Sequence, residues 1–340
     1  MKVLLMTYPL AFQSPGGGEQ IITESYDALT AAGASVEFFN PWSHQIKDFD
    51  IVHYFSCLTW WDWKTIKSYD VPLVLTPTAW PEKGSLHKNL DKVKEVARSR
   101  FGAREAHSLR SYFSYPDLLF PTTESEKALL EGFYDIPAQK MKVIGNGVRP
   151  PQLIKAEDNS FLKESGLEDY ILFAGSLRPN KNVDTLIRAC QKLSKKLVIM
   201  GESSFDTKAY EEHCREIAGD ETIFLGYQAK GSALYDAVFN GSKIVVVPSD
   251  FETFCLAAAE GSAIGKPVIV PRSGGTGGVF GDDGFYIDNG RSVDELASKI
   301  KSVLDNDNSD SISRLMETMD RKFSWPSIAS EMLAGYKSVL

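Results

Sequence analysis

The sequence predicts an α/β protein made of two doubly wound parallel-sheet domains in tandem. Three observations predict it. Short β-branched runs alternate with longer helical patterns, which argues for parallel sheets with helices on both faces. The alternation restarts after a polar, proline-containing stretch between Gly147 and Tyr170. The length, 340 residues, exceeds one ordinary core and suits two domains of roughly 150 residues each.

In the first half, KVLLMTY, SVEFFN, DIVHYF, PLVLTP, DLLFPT and KVIGNG read as strands. GEQIITESYDALTAAG reads as a helix ending at Gly33. The opening apolar run is too short for a signal peptide and passes straight into a glycine turn, so it reads as the first strand. In the second half, YILFAGS, KLVIMG, TIFLGY, KIVVVPS, PVIVPRSGG and GFYIDN read as strands. Helices are expected near Asn182–Leu193, from Phe254 or Cys255 onward, and over Val293–Leu304. WPSIASEMLAGYKSVL forms a last amphipathic segment. The expected divisions are 1–150, 151–320 and a terminal helix in 321–340. Ligands in such sheets sit beyond the C-terminal ends of the strands. A cleft between two such domains is a favoured small-molecule site.

Composition narrows the classes. Hydrophobic residues at 43% and charged residues at 24% are ordinary for a soluble globular protein. A formal net charge of −8 argues against wholesale nucleic-acid binding. Cys57, Cys190, Cys214 and Cys255 are far apart and form no CxxC. They fit reduced thiols of a cytoplasmic protein better than disulfides or a zinc site. No run reaches the ~18 apolar residues that a membrane span needs.

Two strand-to-helix loops carry candidate chemistry. SPGGGEQ follows the first strand and opens a helix, where glycines let backbone approach a ligand and free amides face an anion. The readings here are a substrate-facing turn, a plain tight turn, and a dinucleotide site with Glu37 as the ribose acid. Consecutive Gly16, Gly17 and Gly18 do not match GxGxxG. In the second half, FAGSLRPNKNVDTLI places Arg178 and Lys181 at the mouth of a similar loop. Two cations there suit a diphosphate, although surface loops carry Arg and Lys routinely.

SDFETFCLAAAEG follows the strand KIVVVPS. The first amides of its helix lack intrahelical partners and, with the helix dipole, would hold a phosphate. Glu260 lies about five residues in, roughly 7–8 Å from the helix start at ~1.5 Å per residue. A ribose stands about that far from the distal phosphate, and a carboxylate there can accept both ribose hydroxyls. Glu252, before the helix, lies where a sugar on the diphosphate would be. Ala257, Ala258 and Ala259 allow close helix–sheet packing. The bland alternative is a buried helix with an acid at each end. PRSGG, with Gly274 and Gly275, would bring further backbone amides to the same point.

In their order and spacing, PGGGEQ, DIVHYF, VIGNGV, FAGSLRPNKN, PSDFETFCLAAAEG, GKPVIV and RSGG resemble the retaining family 4 glycosyltransferases, glycosyl transferases group 1. The resemblance covers nearly the whole chain. It implies the GT-B fold: two Rossmann-like doubly wound domains facing a central cleft, with a terminal helix crossing back onto the first. It implies a nucleotide-diphospho-sugar donor in the second domain and a glycan, lipid-linked or small-molecule acceptor in the first. Glu260 matches the acid on the ribose hydroxyls, Glu252 the acid on the donor sugar, and Lys181 the diphosphate lysine with Arg178 as partner. Phe254, Cys255 and Leu256 match the backbone stretch at the helix start. Gly17 and Gly18 match the first-domain loop near phosphate and acceptor. Transfer would retain configuration, by a front-face route in which the leaving diphosphate takes the acceptor proton, with no metal and no cofactor.

Three positions depart from the family pattern. Thr78 stands where a histidine near the donor sugar is frequent; it cannot act as a base near neutrality but can donate a hydrogen bond. Cys255 stands where glycine is usual, and reads as packing rather than as a reactive thiol. Ser176 replaces an arginine, so Arg178 would stand in for it. Thr78 motivates an alternative, a nucleotide-sugar-binding protein of weak or no activity. An NAD-dependent sugar-modifying oxidoreductase is more remote, since GxGxxG and Tyr-x-x-x-Lys are both lacking.

Asp48–Asp50, DFD, resembles a metal-binding DxD but sits before a first-half strand and reads as a structural turn. His44, His53, His87, His107 and His213 show no metal spacing. The segment Lys83–Arg110 is rich in Lys and Arg, with apolar residues at helical spacing, and LTWWDW with Trp60, Trp61 and Trp63 precedes it. It reads as a solvated surface helix, or as a basic face for an anionic acceptor or a peripheral contact with an anionic membrane at its inner face.

Overall fold

The computed structural model describes residues 1–13, 16–56, 62–78, 109–165, 167 and 169–340. Two compact units emerge, Met1–Gly147 with Trp325–Leu340, and Val148–Ser324.

The first unit is built on β1 (Lys2–Met6), β2 (Ser35–Phe38), β3 (Ile51–Phe55), β4 (Leu73–Thr76) and β5 (Leu118–Leu119). They form one parallel sheet in the order β2-β1-β3-β4-β5. Every residue of β3 is buried, as a strand covered on both faces requires. The expected sixth strand, KVIGNG, does not form. Lys142 and Ile144 donate to the carbonyls of Leu119 and Pro121, and Met141 bridges Leu119. The two-residue β5 is too short to extend that pairing into a ladder.

The helix Trp325–Lys337 packs on the helix Gly17–Ala31. The Trp325 indole donates to Glu24 at 3.0 Å. Its ring lies where a Cβ at Gly147 would be, 2.2 Å from Cδ2, so only glycine fits there. His53 on β3 is fully buried and contacts the Tyr336 hydroxyl at 2.6 Å and Thr76 Oγ1 at 2.9 Å. Burial pushes its pKa down to about 3, so the ring is neutral.

Trp63 corrects one expectation. It is fully buried, with its ring against Tyr54 and Tyr112 at 4.9 and 5.2 Å, and belongs to the core rather than to an aromatic surface. Trp60, Trp61 and residues 83–108 of the basic segment lie outside the described residues. Arg110 is exposed and pairs with Asp135 at 3.2 Å. Asp50 accepts from the Lys2 amide at 2.7 Å, which ties the DFD turn to the start of β1.

The second unit contains β6 (Ile171–Ala174), β7 (Leu197–Met200), β8 (Thr222–Gly226), β9 (Ile244–Val246), β10 (Val268–Pro271) and β11 (Phe285–Ile287). The order is β11-β10-β9-β6-β7-β8, parallel throughout. This order reverses between β6 and β9, so the loops leaving those two strands diverge and open a crevice. Helices Val183–Leu193 and Val293–Asp305 pack together over one core face. A further helix, Ser309–Phe323, packs on the helix Leu256–Ala263 and buries Leu315, Met319 and Phe323.

Among the described residues no helix is long and apolar enough to cross a membrane. Cys190, Cys214 and Cys255 are buried and unpaired with one another. Burial pushes the thiols of Cys190 and Cys214 up to about 12 and about 11, and that of Cys255 well above the ordinary value.

Candidate functional site

The loop leaving β9 is Val247–Cys255, and three neighbours hold its backbone. Asn182 Nδ2 donates to the Pro248 carbonyl at 2.9 Å and to Asp250 Oδ1 at 2.8 Å. Arg291 grips Asp250 with both ends of its fork, at 2.9 and 2.6 Å. The PRSGG turn closes the third side: Glu252 accepts from the Gly275 amide at 2.8 Å and its own amide donates to Ser273 at 3.3 Å. Gly274 has φ 106°, and a Cβ there would stand 2.0 Å from the Glu252 carbonyl oxygen. Glycine is therefore required by the close approach of two backbones. Gly275 does not offer a spare amide, because Glu252 already occupies it.

This clamp fixes the Glu252 side chain. Its Oε1 accepts from Lys181 Nζ at 2.5 Å and from Ser249 Oγ at 2.6 Å. Lys181 comes from the loop leaving β6, in the 3-10 turn Pro179–Lys181. The two loops that diverge at the switch point thus meet through this ion pair, through Asn182, and through the Asp250 amide, which donates to the Asn180 carbonyl at 2.9 Å. Arg178 caps the same turn, is exposed, and makes no side-chain hydrogen bond or ion pair among the described residues.

Cys255 caps the helix Leu256–Ala263 with φ 70° and ψ 64°, a left-handed conformation that glycine adopts freely and a side chain does not. This is the physical reason a glycine would suit the position. The Cys255 and Phe254 side chains are buried, and Phe254 packs edge-on against Phe323 at 5.1 Å. Only their backbone can face a ligand. The amides of the first helical turn have no intrahelical acceptor. Leu256 begins the helix and is partly exposed.

Glu260 is the fifth residue of that helix and only 3% exposed. Lys230 Nζ lies 2.7 Å from its Oε1, and the Tyr235 hydroxyl donates to its Oε2. A buried carboxylate persists only when paired and hydrogen-bonded, and this one is both.

In the first unit, Gly17 opens the helix Gly17–Ala31, and Glu19 folds back in a capping box to accept from the Gly16 amide at 2.7 Å. Glu19 Oε1 also accepts from the Tyr8 hydroxyl at 2.5 Å. Among the described residues nothing stands within 4 Å of where a Gly18 Cβ would be. Glu37 pairs with His44 at 3.1 Å. Thr78, just past β4, is exposed with φ 45°, a strained backbone for a β-branched residue. Among the described residues no cluster of three His, Cys, Asp or Glu could hold a metal ion.

Two family models cover most of the chain: glycosyl transferases group 1 matches residues 155–317, and glycosyltransferase family 4 matches residues 28–151. The chain belongs to the group 1, family 4 glycosyltransferases. Curated relatives agree. An uncharacterized glycosyltransferase of Methanocaldococcus jannaschii is 28% identical over 69% of this chain and 64% of its own length. A D-inositol 3-phosphate glycosyltransferase of Mycolicibacterium smegmatis is 27% identical over 66% of this chain and 53% of its own length. The match thus spans less than two thirds of either relative. Among solved structures, a sucrose-phosphate synthase of Thermosynechococcus elongatus aligns with TM-score 0.78 at 17% identity over 99% of both chains. The Anabaena protein HepE, solved with UDP and glucose, aligns with TM-score 0.73 at 18% identity over 99% of this chain and 100% of its own. These likenesses establish the GT-B class of fold.

In this chain, then, Lys181, Glu252, Gly274 and Gly275 converge, and Glu260 stands in the helix that follows. Several partners escaped the sequence. Lys230 and Tyr235 precede Glu260 by 30 and 25 positions in the numbering, and no spacing rule links them. Asn182, Arg291 and the PRSGG turn hold the loop from three separate elements, the first two through Asp250. Only Asn182 carried a local signal, an Asn in a left-handed conformation immediately before a helix.

Proposed function

We propose that the protein moves a sugar from a nucleotide-diphospho-sugar donor to a glycan, lipid-linked or small-molecule acceptor, with retention and without a metal. The observation that carries this reading is the pairing of Lys181 with Glu252 across the switch-point crevice, next to the buried Glu260. Lys181 and Arg178 bring two cations to the diphosphate, and the open amides at Leu256 and Ala257 add donors. These groups stabilise the negative charge that grows on the leaving diphosphate. The Glu252 backbone is held by the Ser273–Gly275 turn and its loop by Asn182 and Arg291, so its carboxylate is positioned in advance for the donor sugar's hydroxyls. Lys181 moves from Glu252 toward phosphate as the donor arrives. The acceptor attacks the face from which the diphosphate departs, and the leaving oxygen takes the acceptor proton. HepE was solved with UDP and glucose, which supports a nucleotide-sugar here.

The test is incubation with a panel of nucleotide-sugars and acceptors while free nucleoside diphosphate is measured. Turnover is expected that survives a chelator and falls roughly 10²–10³-fold in Glu252→Ala, the range for removing one transition-state contact. Full activity in both Glu252→Ala and Glu260→Ala would overturn the site. The strained Thr78, in place of a histidine, favours a second reading, a nucleotide-sugar-binding protein without transfer. Donor-induced thermal stabilisation with no turnover on any acceptor would select it.

A further inference from the structure

Beside Glu260 lies a small pocket of about 190 Å³, whose lining includes Arg149, Pro150, Gln152, Lys230, Tyr235 and Asp236. Lys230 and Tyr235 are the two residues that hold the Glu260 carboxylate, so pocket and carboxylate share a wall. Asp236 is the unexplained member. It is 5% exposed, and its Oδ1 has no hydrogen-bond partner among the described residues. Its main chain is satisfied: the amide donates to Ser232 at 3.0 Å and the carbonyl accepts from Asn240 at 2.8 Å. Only the carboxylate oxygen is left, and a buried acceptor without a donor costs about 1–3 kcal/mol. A small turn of the Asp236 side chain toward the pocket would let a ligand supply the missing donor.

Resting on the nucleotide-sugar reading above, we propose that this pocket takes the nucleobase, that Asp236 reads it, and that the base is guanine. With the ribose at Glu260, the base on the ribose is the part of the donor that reaches this wall. Complementarity chooses among bases. The pocket wall carries the Asp236 carboxylate, the Arg149 guanidinium and the Gln152 amide, with the ammonium of Lys230 paired to Glu260 and flat apolar surface from Pro150, Pro151 and Tyr235. Guanine presents two adjacent N–H donors, N1 and N2, next to the acceptors O6 and N7. The donors satisfy a carboxylate, and the acceptors suit Arg or Lys. Adenine sets the N1 acceptor beside its amino group and turns a lone pair toward the carboxylate. Uracil offers one N–H flanked by two carbonyls, both repelled by Asp236.

Calorimetric titration of the full chain with GDP, UDP, ADP and IDP tests this. GDP is expected to bind at least roughly tenfold more tightly than UDP or ADP, within the discrimination of one good bidentate pair. IDP, which lacks the 2-amino group, is expected to lose a similar factor on the unaltered protein. Asp236→Asn is expected to weaken GDP roughly 10- to 100-fold and leave UDP and ADP unchanged. UDP or ADP binding as tightly as GDP overturns the proposal, as does IDP equal to GDP. UDP bound at least as tightly as GDP, and lost in Glu260→Ala, would keep the transferase reading and reject guanine. Failure of all four diphosphates would reject the transferase reading itself.

Discussion

Removing Lys230 exposes how the Glu260 carboxylate is held. Lys230 and Glu260 lie 2.7 Å apart with side chains 9% and 4% exposed. At an effective dielectric near 20, a unit pair at that distance attracts by about 6 kcal/mol before desolvation is subtracted. Lys230→Met leaves Glu260 buried with Tyr235 as its main remaining donor, and breaking a buried pair from one side costs about 3–5 kcal/mol. Glu260→Gln costs less, because the long Lys230 stem can carry its ammonium toward water. The double variant is expected to be destabilised by less than the sum of the two, with a coupling of at least about 2 kcal/mol. Urea unfolding, followed as two transitions if the units separate, measures each corner of the cycle. A cost below about 1 kcal/mol for Lys230→Met, typical of a solvated pair, would refute the reasoning. So would strict additivity.

Three further perturbations follow from the same geometry. Gly274→Ala must displace the Glu252 backbone, since a Cβ would lie 2.0 Å from its carbonyl oxygen. Transfer is expected to fall about 10²-fold, the cost of roughly 1 Å of misplacement, and steady-state kinetics would show it. Cys255→Gly relieves the left-handed strain and is expected to stay within about 1 kcal/mol of the parent in thermal melts. Cys255→Val at the same φ should lose about 2–3 kcal/mol. His53, with its pKa lowered to about 3, binds its proton in the unfolded chain first. Its contribution is therefore complete above the ordinary histidine pKa near 6.5 and is lost as pH falls, at about 1.4 kcal/mol per pH unit. The first unit's melting temperature should drop between pH 7 and pH 5, and His53→Gln should flatten that slope.

The sequence carried the two sheets because buried parallel strands are continuous apolar runs, and VLLM, ILFA and IVVV stand out as such. The same rule misjudged KVIGNG, whose apolar residues run beside an edge strand of only two residues. Ser309–Phe323 escaped notice because most of its surface is polar and its core contact narrows to Leu315, Met319 and Phe323. Local motifs single out Lys181 and Glu252, which lie in loops that leave a strand, and Glu260, which lies one turn inside the helix that follows. Lys230, Tyr235, Asp236 and Arg291 were not legible, because their roles arise only when the sheet order brings distant loops together. Cys255 became intelligible through a backbone angle, which no residue pattern displays.

The loops leaving β6 and β9 are proposed to bind the donor diphosphate. Hydrogen–deuterium exchange with and without a nucleotide-sugar tests this directly. Protection is predicted in peptides covering 175–182 and 249–260, including the first amides of the helix Leu256–Ala263. Saturating donor that leaves both peptides unprotected, or protects other strand ends of the second unit instead, would contradict it.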